Sequence, residues 1–142
     1  MWVPGLPLLG GATPRLGETG SAGGYTLMAE EVVDPAPTSS FFSSAAGYRL
    51  VSVSTLVRNE SGSDPLSVNP LYFYLVDDYG FVYGAELGSS DLGQIDTLDV
   101  GSGEAVKGYV SFQVPEGRVP LYLRFATDFW GEGEPLVAGL QQ

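Results

Sequence analysis

Residues 103–117, GEAVKGYVSFQVPEG, and residues 47–59, GYRLVSVSTLVRN, decide the fold. In the first stretch Val106, Gly108, Val110, Phe112 and Val114 fall on one side, and Lys107, Tyr109, Ser111 and Gln113 on the other. A period of two is what a half-buried antiparallel strand needs. In the second, Val51, Val53, Thr55 and Val57 form one face, and Leu50, Ser52, Ser54 and Leu56 the opposite one. Each stretch ends in a turn of small or rigid residues. Asn59 opens the run Asn59-Glu60-Ser61-Gly62-Ser63-Asp64-Pro65. Such residues bond their own backbone or tolerate positive φ, and the Asn59 side chain is expected to cap the turn.

Working outward, Tyr25–Val33 reads as a strand, ended by Asp34-Pro35-Ala36-Pro37 because proline offers no ladder donor. Thr38–Gly47 is a small-residue loop carrying Phe41 and Phe42. A short strand is expected at Leu66–Val68. Leu71–Asp77, LYFYLVD, is apolar on both faces and reads as a central strand. Asp78-Tyr79-Gly80 is a tight turn, with Phe81–Tyr83 as the returning strand. Gly84–Gly93 is loop, and Asp91–Asp99 alternates weakly. In Leu121–Phe129, Leu121, Leu123, Phe125 and Phe129 are expected inward, and Tyr122, Arg124 and Asp128 outward. Trp130 is expected to cover the core edge, and Leu136–Leu140 to pack back from a loop-like tail.

Residues 1–24 contain seven glycines and three prolines and read as a flexible lead-in that touches the domain, if anywhere, through Trp2, Leu6, Leu8 and Leu9. The folded unit is then 25–142. No segment shows a helical period over ten or more residues. Seven or eight short strands separated by turn signals predict an all-β chain, an antiparallel β-sandwich with Greek-key connections.

Composition narrows the function. Seventeen acids against six bases give a net charge of −11. Such a surface repels phosphate backbones and anionic headgroups, so nucleic acid is not an expected partner and basic attraction to a membrane is disfavoured. Without cysteine there is no disulfide, thiol nucleophile or thiolate metal site. Without histidine the commonest general base and transition-metal ligand are missing. No apolar run approaches the ~18 residues that span a bilayer, so direct membrane insertion is not expected.

Several segments in order carry a family resemblance: VSVSTLVRN, then LYFYLVDDYGFVYG, then LDVGSGEAVKGYVSFQVPEG, then LYLRFATDF. Together, over about Tyr25 to Phe129, the chain resembles the extracytoplasmic immunoglobulin-like domains of bacteria grouped as a domain of unknown function, related to the secreted immunoprotein-type antigens of mycobacteria. The resemblance implies an immunoglobulin-like β-sandwich, an exported or cell-envelope location, and a binding or structural role. It supplies no catalytic residues. Members are commonly lipoproteins or membrane-tethered behind a low-complexity linker, which residues 1–24 would match. The chain has no lipid-accepting cysteine, so a leader or anchor is expected outside the printed sequence.

Candidate sites are few. Asp77 and Asp78 are adjacent acids at the hairpin turn, and Asp91, Asp96, Asp99 and Glu104 would complete a calcium site if the loops met. The competing reading is an Asx-type turn with a solvated neighbour. Nothing selects a catalytic carboxylate pair, and Ser39, Ser40, Ser43 and Ser44 have no histidine to activate them. Lys107 does not sit in a Ser-x-x-Lys setting. No catalytic residue and no cofactor is therefore assigned.

Phe73, Phe112 and Phe125 are expected in the core. Tyr72, Tyr74, Tyr109 and Tyr122 are candidate partner contacts on an outer face, or ordinary cross-strand pairs; Tyr79 and Tyr83 are equally open. Phe41 and Phe42 either plug the end of the sandwich or meet a partner or second subunit. The expected role is a non-enzymatic extracytoplasmic binding or structural accessory module with a protein or glycan partner. The alternatives are a carbohydrate-binding module using surface tyrosines, a calcium-dependent adhesion or assembly domain, and a hydrolase. A homodimer through an open sheet edge would favour the structural role.

Overall fold

The computed structural model describes residues 14–127 and 134–142. The expectations for Trp2, Leu6, Leu8, Leu9, Asp128, Phe129 and Trp130 lie outside these. The described chain forms ten strands: β1 (Thr19–Ala22), β2 (Tyr25–Val33), β3 (Tyr48–Asn59), β4 (Leu66–Val68), β5 (Phe73–Asp77), β6 (Val82–Gly84), β7 (Leu98–Val100), β8 (Ala105–Pro115), β9 (Pro120–Phe125) and β10 (Leu136–Gly139). They make two four-stranded sheets, ordered β1-β2-β3-β8 and β10-β9-β5-β6, and a two-stranded ribbon, β4-β7. Every pairing of named strands is antiparallel. β3 pairs with β8 and β5 with β9, so each sheet joins strands remote in sequence and the connections cross between layers. This is the expected Greek-key sandwich.

The two opening stretches form the longest ladder, from Tyr48↔Pro115 to Arg58↔Ala105. Its inward pairs are Val51↔Phe112, Val53↔Val110 and Val57↔Val106, all in the buried core. They meet Phe73, Leu75, Leu123 and Phe125 of the second sheet, with the Phe73 and Phe125 rings 4.6 Å apart. One inward position breaks the apolar run. Gly108 faces Thr55, and a Cβ there would lie 2.5 Å from Ile95 Cα. The missing side chain is the space through which Ile95 enters the core.

The same segment protects an edge. Glu86 N–H donates to Ser111 O (2.8 Å), Ile95 N–H to Tyr109 O (3.0 Å) and Tyr109 N–H to Gly93 O (2.8 Å). Irregular backbone thus occupies the outer edge of β8 that would otherwise be open to another strand. Asn59 does what its position suggested. Fully buried, its Nδ2 donates to Asp64 O (2.7 Å) and Val100 O (2.9 Å). Its Oδ1 accepts from Ser61 N–H (2.9 Å) and Oγ (2.7 Å). One amide ties the end of β3 to the loop before β4 and to β7.

Three local expectations change. The boundary at residue 25 falls inside a hairpin, since Thr19–Ala22, expected in the lead-in, pair with β2 as Thr19↔Met28 to Ala22↔Tyr25. The sequence TGSA has no apolar period; its ladder with β2 makes it a strand, with Gly20 buried and Ala22 packed on the core. The tail also forms a strand, β10, on β9. Residues 14–16 are sewn to it by Gly139 N–H to Pro14 O (2.7 Å) and Leu16 N–H to Gln141 O (3.1 Å). The weakly alternating Asp91–Asp99 contributes a strand only at its end, in β7.

Candidate functional site

The tip of the β5–β6 hairpin gathers polar groups around one buried acid. Gly80 N–H donates to Asp77 O (3.1 Å), closing a four-residue turn, and Asp77 N–H donates to Phe81 O (3.0 Å). Gly80 has φ +87°, the left-handed conformation that lets a one-residue bulge follow the turn. This bend aims the Asp77 carboxylate back across its own turn. Oδ1 accepts from Tyr79 N–H (2.8 Å) and Phe81 N–H (2.9 Å). Oδ2 accepts from the Tyr83 hydroxyl (2.6 Å). Asp77 is fully buried, and each of these bonds to a charged acceptor is of the stronger kind. Burial first, then the bond to Asp77 and its negative charge, push the Tyr83 phenol well above its ordinary value.

The neighbouring acid joins the tip to the β8–β9 connection. Asp78 N–H donates to Val119 O (2.9 Å), and its Oδ1 accepts from Val119 N–H (3.0 Å). This strap delivers Arg118. Its guanidinium lies 3.9 Å from the Tyr79 ring centroid and 5.7 Å from that of Phe81, a cation–π contact. Arg118 Nε is 3.7 Å from Asp77 Oδ2, too far for a hydrogen bond, and it is buried without one. The reason is visible in the carboxylate: three shorter donors already hold its two oxygens. Behind Arg118, Arg49 closes the end of the sandwich. It binds Asp34 through Nε (2.7 Å) and Nη2 (3.0 Å), and donates to the carbonyls of Pro115 (2.7 Å) and Arg118 (2.9 Å).

Outside this frame the tip is apolar. Phe81 is 57 % and Tyr79 56 % exposed, and Val82, Val119 and Tyr48 are also large exposed hydrophobic residues. Tyr48 pairs with Pro115 at the same end of the ladder. An aromatic pair held by backbone bonds on both flanks, with a cation clamped between, makes a preformed contact surface. Both oxygens of Asp77 are committed within the turn.

The residues singled out from sequence lie in several places. Asp77 and Asp78 are neighbours in the turn, and their oxygens accept hydrogen bonds from protein donors. Asp91, Asp96, Asp99 and Glu104 do not join them, and no group of three potential metal ligands gathers among the described residues. Glu104 instead accepts from Gly101 N–H (2.7 Å), and Asp99 from the Ser67 hydroxyl (2.9 Å).

The four tyrosines do not form a row. Tyr72 packs on Phe125, with centroids 6.4 Å apart. Tyr74 is half-buried, with Arg124 5.5 Å from its ring. Tyr109 is on the other sheet, where its hydroxyl donates to Glu31 (2.8 Å); that bond, with a smaller contribution from desolvation, raises its pKa. Tyr122, expected outward and available, is only 1 % exposed, and burial raises its phenol. Alternation placed it correctly off the core face, opposite Val76, but that side is covered too. Phe41 is 96 % exposed and so does not plug the sandwich; Phe42 is half-buried. Arg118 and Phe81 carry the tip. The available signal was a basic residue two positions before a strand in an acid-rich chain, together with aromatics flanking the turn glycine.

The chain belongs to the family described as Domain of unknown function (DUF4352), whose model matches residues 14–135. Among solved structures it is similar to the Bacillus subtilis protein described as "a putative lipoprotein (ycdA)", at TM-score 0.70 and 16% identity over 87% of this chain. The chain spans only 38% of that protein's length. It is also similar to the yjhA protein of Bacillus subtilis, at TM-score 0.66 and 18% identity, over 91% of this chain and 100% of the other. A third is MPT63, a secreted protein from Mycobacterium tuberculosis, at TM-score 0.61 and 15% identity, over 95% and 98% of the two chains. Among curated proteins none matches. These likenesses are of fold. Among the described residues no helix is long and apolar enough to cross a membrane.

Proposed function

We propose that this member of the DUF4352 family is a non-enzymatic binding module that works outside the cytoplasm and docks a protein partner through the β5–β6 tip. The observation that carries the reading is the pair Tyr79 and Phe81, each more than half exposed yet held by backbone bonds to a buried carboxylate. Rigid aromatic side chains beside an arginine are the residues that dominate binding energies at protein interfaces. Little ordering entropy remains to be lost when such a surface is covered. The location is supported by the descriptions of two structural neighbours, one a putative lipoprotein and one secreted.

A glycan reading has less support. Sugar stacking needs an open ring face, and Arg118 lies over Tyr79. The calcium reading lacks a gathered set of oxygens among the described residues. The test is site-specific photo-crosslinking in the producing cell. A crosslinker at position 81 or 119 is expected to capture a discrete protein outside the cytoplasm, while one at Lys107 on the first sheet does not. Equal capture at all three positions, or none at 81 and 119, sinks the reading. Capture of a second copy of this chain would replace it with self-association.

A further inference from the structure

Of the six cations in the sequence, the two at the tip end are used differently. Arg49 is saturated: its nitrogens reach Asp34 and two carbonyls. Arg118 is fixed in place without being saturated. Its guanidinium lies 3.9 Å from the Tyr79 ring centroid, and its carbonyl is held by Arg49. Yet Nε makes no hydrogen bond, and its terminal nitrogens make none among the described residues. About a third of the side chain is open to solvent. A guanidinium presents five donors in a planar fork that fits a carboxylate. With Nε buried against Asp77, the terminal Nη donors are the ones left for a ligand, and rimmed by Phe81, Val82 and Val119 they make an incomplete site.

We infer that the tip recognises a protein segment carrying a glutamate or aspartate beside an aliphatic or aromatic side chain. Arg118 takes the carboxylate, and Phe81, Val82 and Val119 cover the apolar neighbour. The chemistry follows from the donors that Arg118 leaves open. The net charge of −11 is spread over the molecule, and at physiological salt charges beyond about 8 Å are largely screened. Of the two acids in the turn, Asp77 is enclosed by its donors and Asp78 turns an oxygen to Val119 N–H. Hydrogen bonding leaves both carboxylates charged, and Asp77 faces Arg118 at 3.7 Å, so what singles out this contact is the open Nη donors of Arg118 inside an apolar rim. A free acidic side chain gains a charge-assisted bond there that its neutral amide does not.

This rests on the docking reading above and names the partner's chemistry. The test uses the intact chain and two capped peptides, acetyl-Leu-Glu-Leu-amide and acetyl-Leu-Gln-Leu-amide, followed by nitrogen–proton NMR. The glutamate peptide is expected to give saturable shifts at the Arg118 Nε–H and the Tyr79, Phe81 and Val119 amides. The glutamine peptide should bind about tenfold more weakly, the loss of roughly one charge-assisted bond. Phe81→Ala should weaken the glutamate peptide by a similar factor, leaving its preference over glutamine in place. Equal binding of the two peptides, or shifts that map elsewhere, overturns the inference. So does acetate binding as tightly as the peptide, which would make the ligand a small carboxylate. If the peptides fail to discriminate while crosslinking at 81 persists, docking stands and only the partner's chemistry falls.

Discussion

The β3–β8 ladder and the β5–β6 tip sit in the same sandwich and are stabilised by opposite means. The ladder joins two strands far apart in sequence through apolar pairs such as Val51↔Phe112 and Val53↔Val110, and its stability comes from area removed from water. The tip is a local hairpin organised by one buried carboxylate and its donors. Burying a charge is costly unless every lone pair is engaged. The ladder therefore tolerates changes that conserve volume, and the tip tolerates changes that keep its hydrogen bonds. Stability in the first is spread over many apolar pairs; in the second it hangs on one side chain. The second gives up exposed apolar surface for a fixed shape.

The largest effect is expected from Asp77→Ala. It leaves two backbone N–H groups and the Tyr83 hydroxyl without their acceptor and Arg118 without its buried counter-charge, and should cost about 4 kcal/mol in chemical denaturation. Asp77→Asn, which keeps an acceptor for the two amides, should cost clearly less; equal losses would mean that charge and bonding at the tip matter little. Next comes the ladder. Gly108→Val drives a side chain into Ile95 backbone that cannot withdraw, and should cost about 3 kcal/mol. A loss below that of an ordinary surface substitution would show that Ile95 is not seated where the structure puts it. Asn59→Ala should cost about 3 kcal/mol, because two carbonyls and the Ser61 amide lose a buried partner.

Alkaline stability separates the regions in another way. The folded-state pKa of Tyr83 is raised, so the folded protein keeps a proton that the unfolded chain releases. Its contribution is intact below about pH 10 and is lost as pH rises from there through the folded value. Tyr109 and Tyr122 are shifted in the same direction, so Tyr83→Phe should remove part of the alkaline slope of the melting temperature and leave the rest. An unchanged slope would show that the hydroxyl is not held by Asp77. The smallest change in stability is expected from Phe81→Ser, within about 0.5 kcal/mol, although it should abolish crosslinking at the tip through position 119.

Legibility followed distance along the chain. Inward and outward faces of β3 and β8 were readable because alternation is written residue by residue. Asn59 was readable because its cap is made largely within five residues. The Asp-Asp-Tyr-Gly turn was readable for the same reason: an Asx-type turn was the favoured reading of its acids and a calcium site the weaker one. Asp77 is committed by Tyr79, Phe81 and Tyr83 within six residues, whereas Asp78 is engaged by Val119, some forty residues away.

By itself, then, the sequence determined the all-β class, the two long strands, the aromatic core positions and the hairpin turn. These rest on side-chain periodicity and on backbone preferences of glycine, proline and asparagine, which act locally. Only the tertiary structure decided that TGSA is a strand, that Tyr122 is covered, that Ile95 fills the gap at Gly108, and that Arg118 lies on Tyr79 with donors unused. Each is a meeting of segments remote in sequence, and the free energy of such a meeting depends on both surfaces at once.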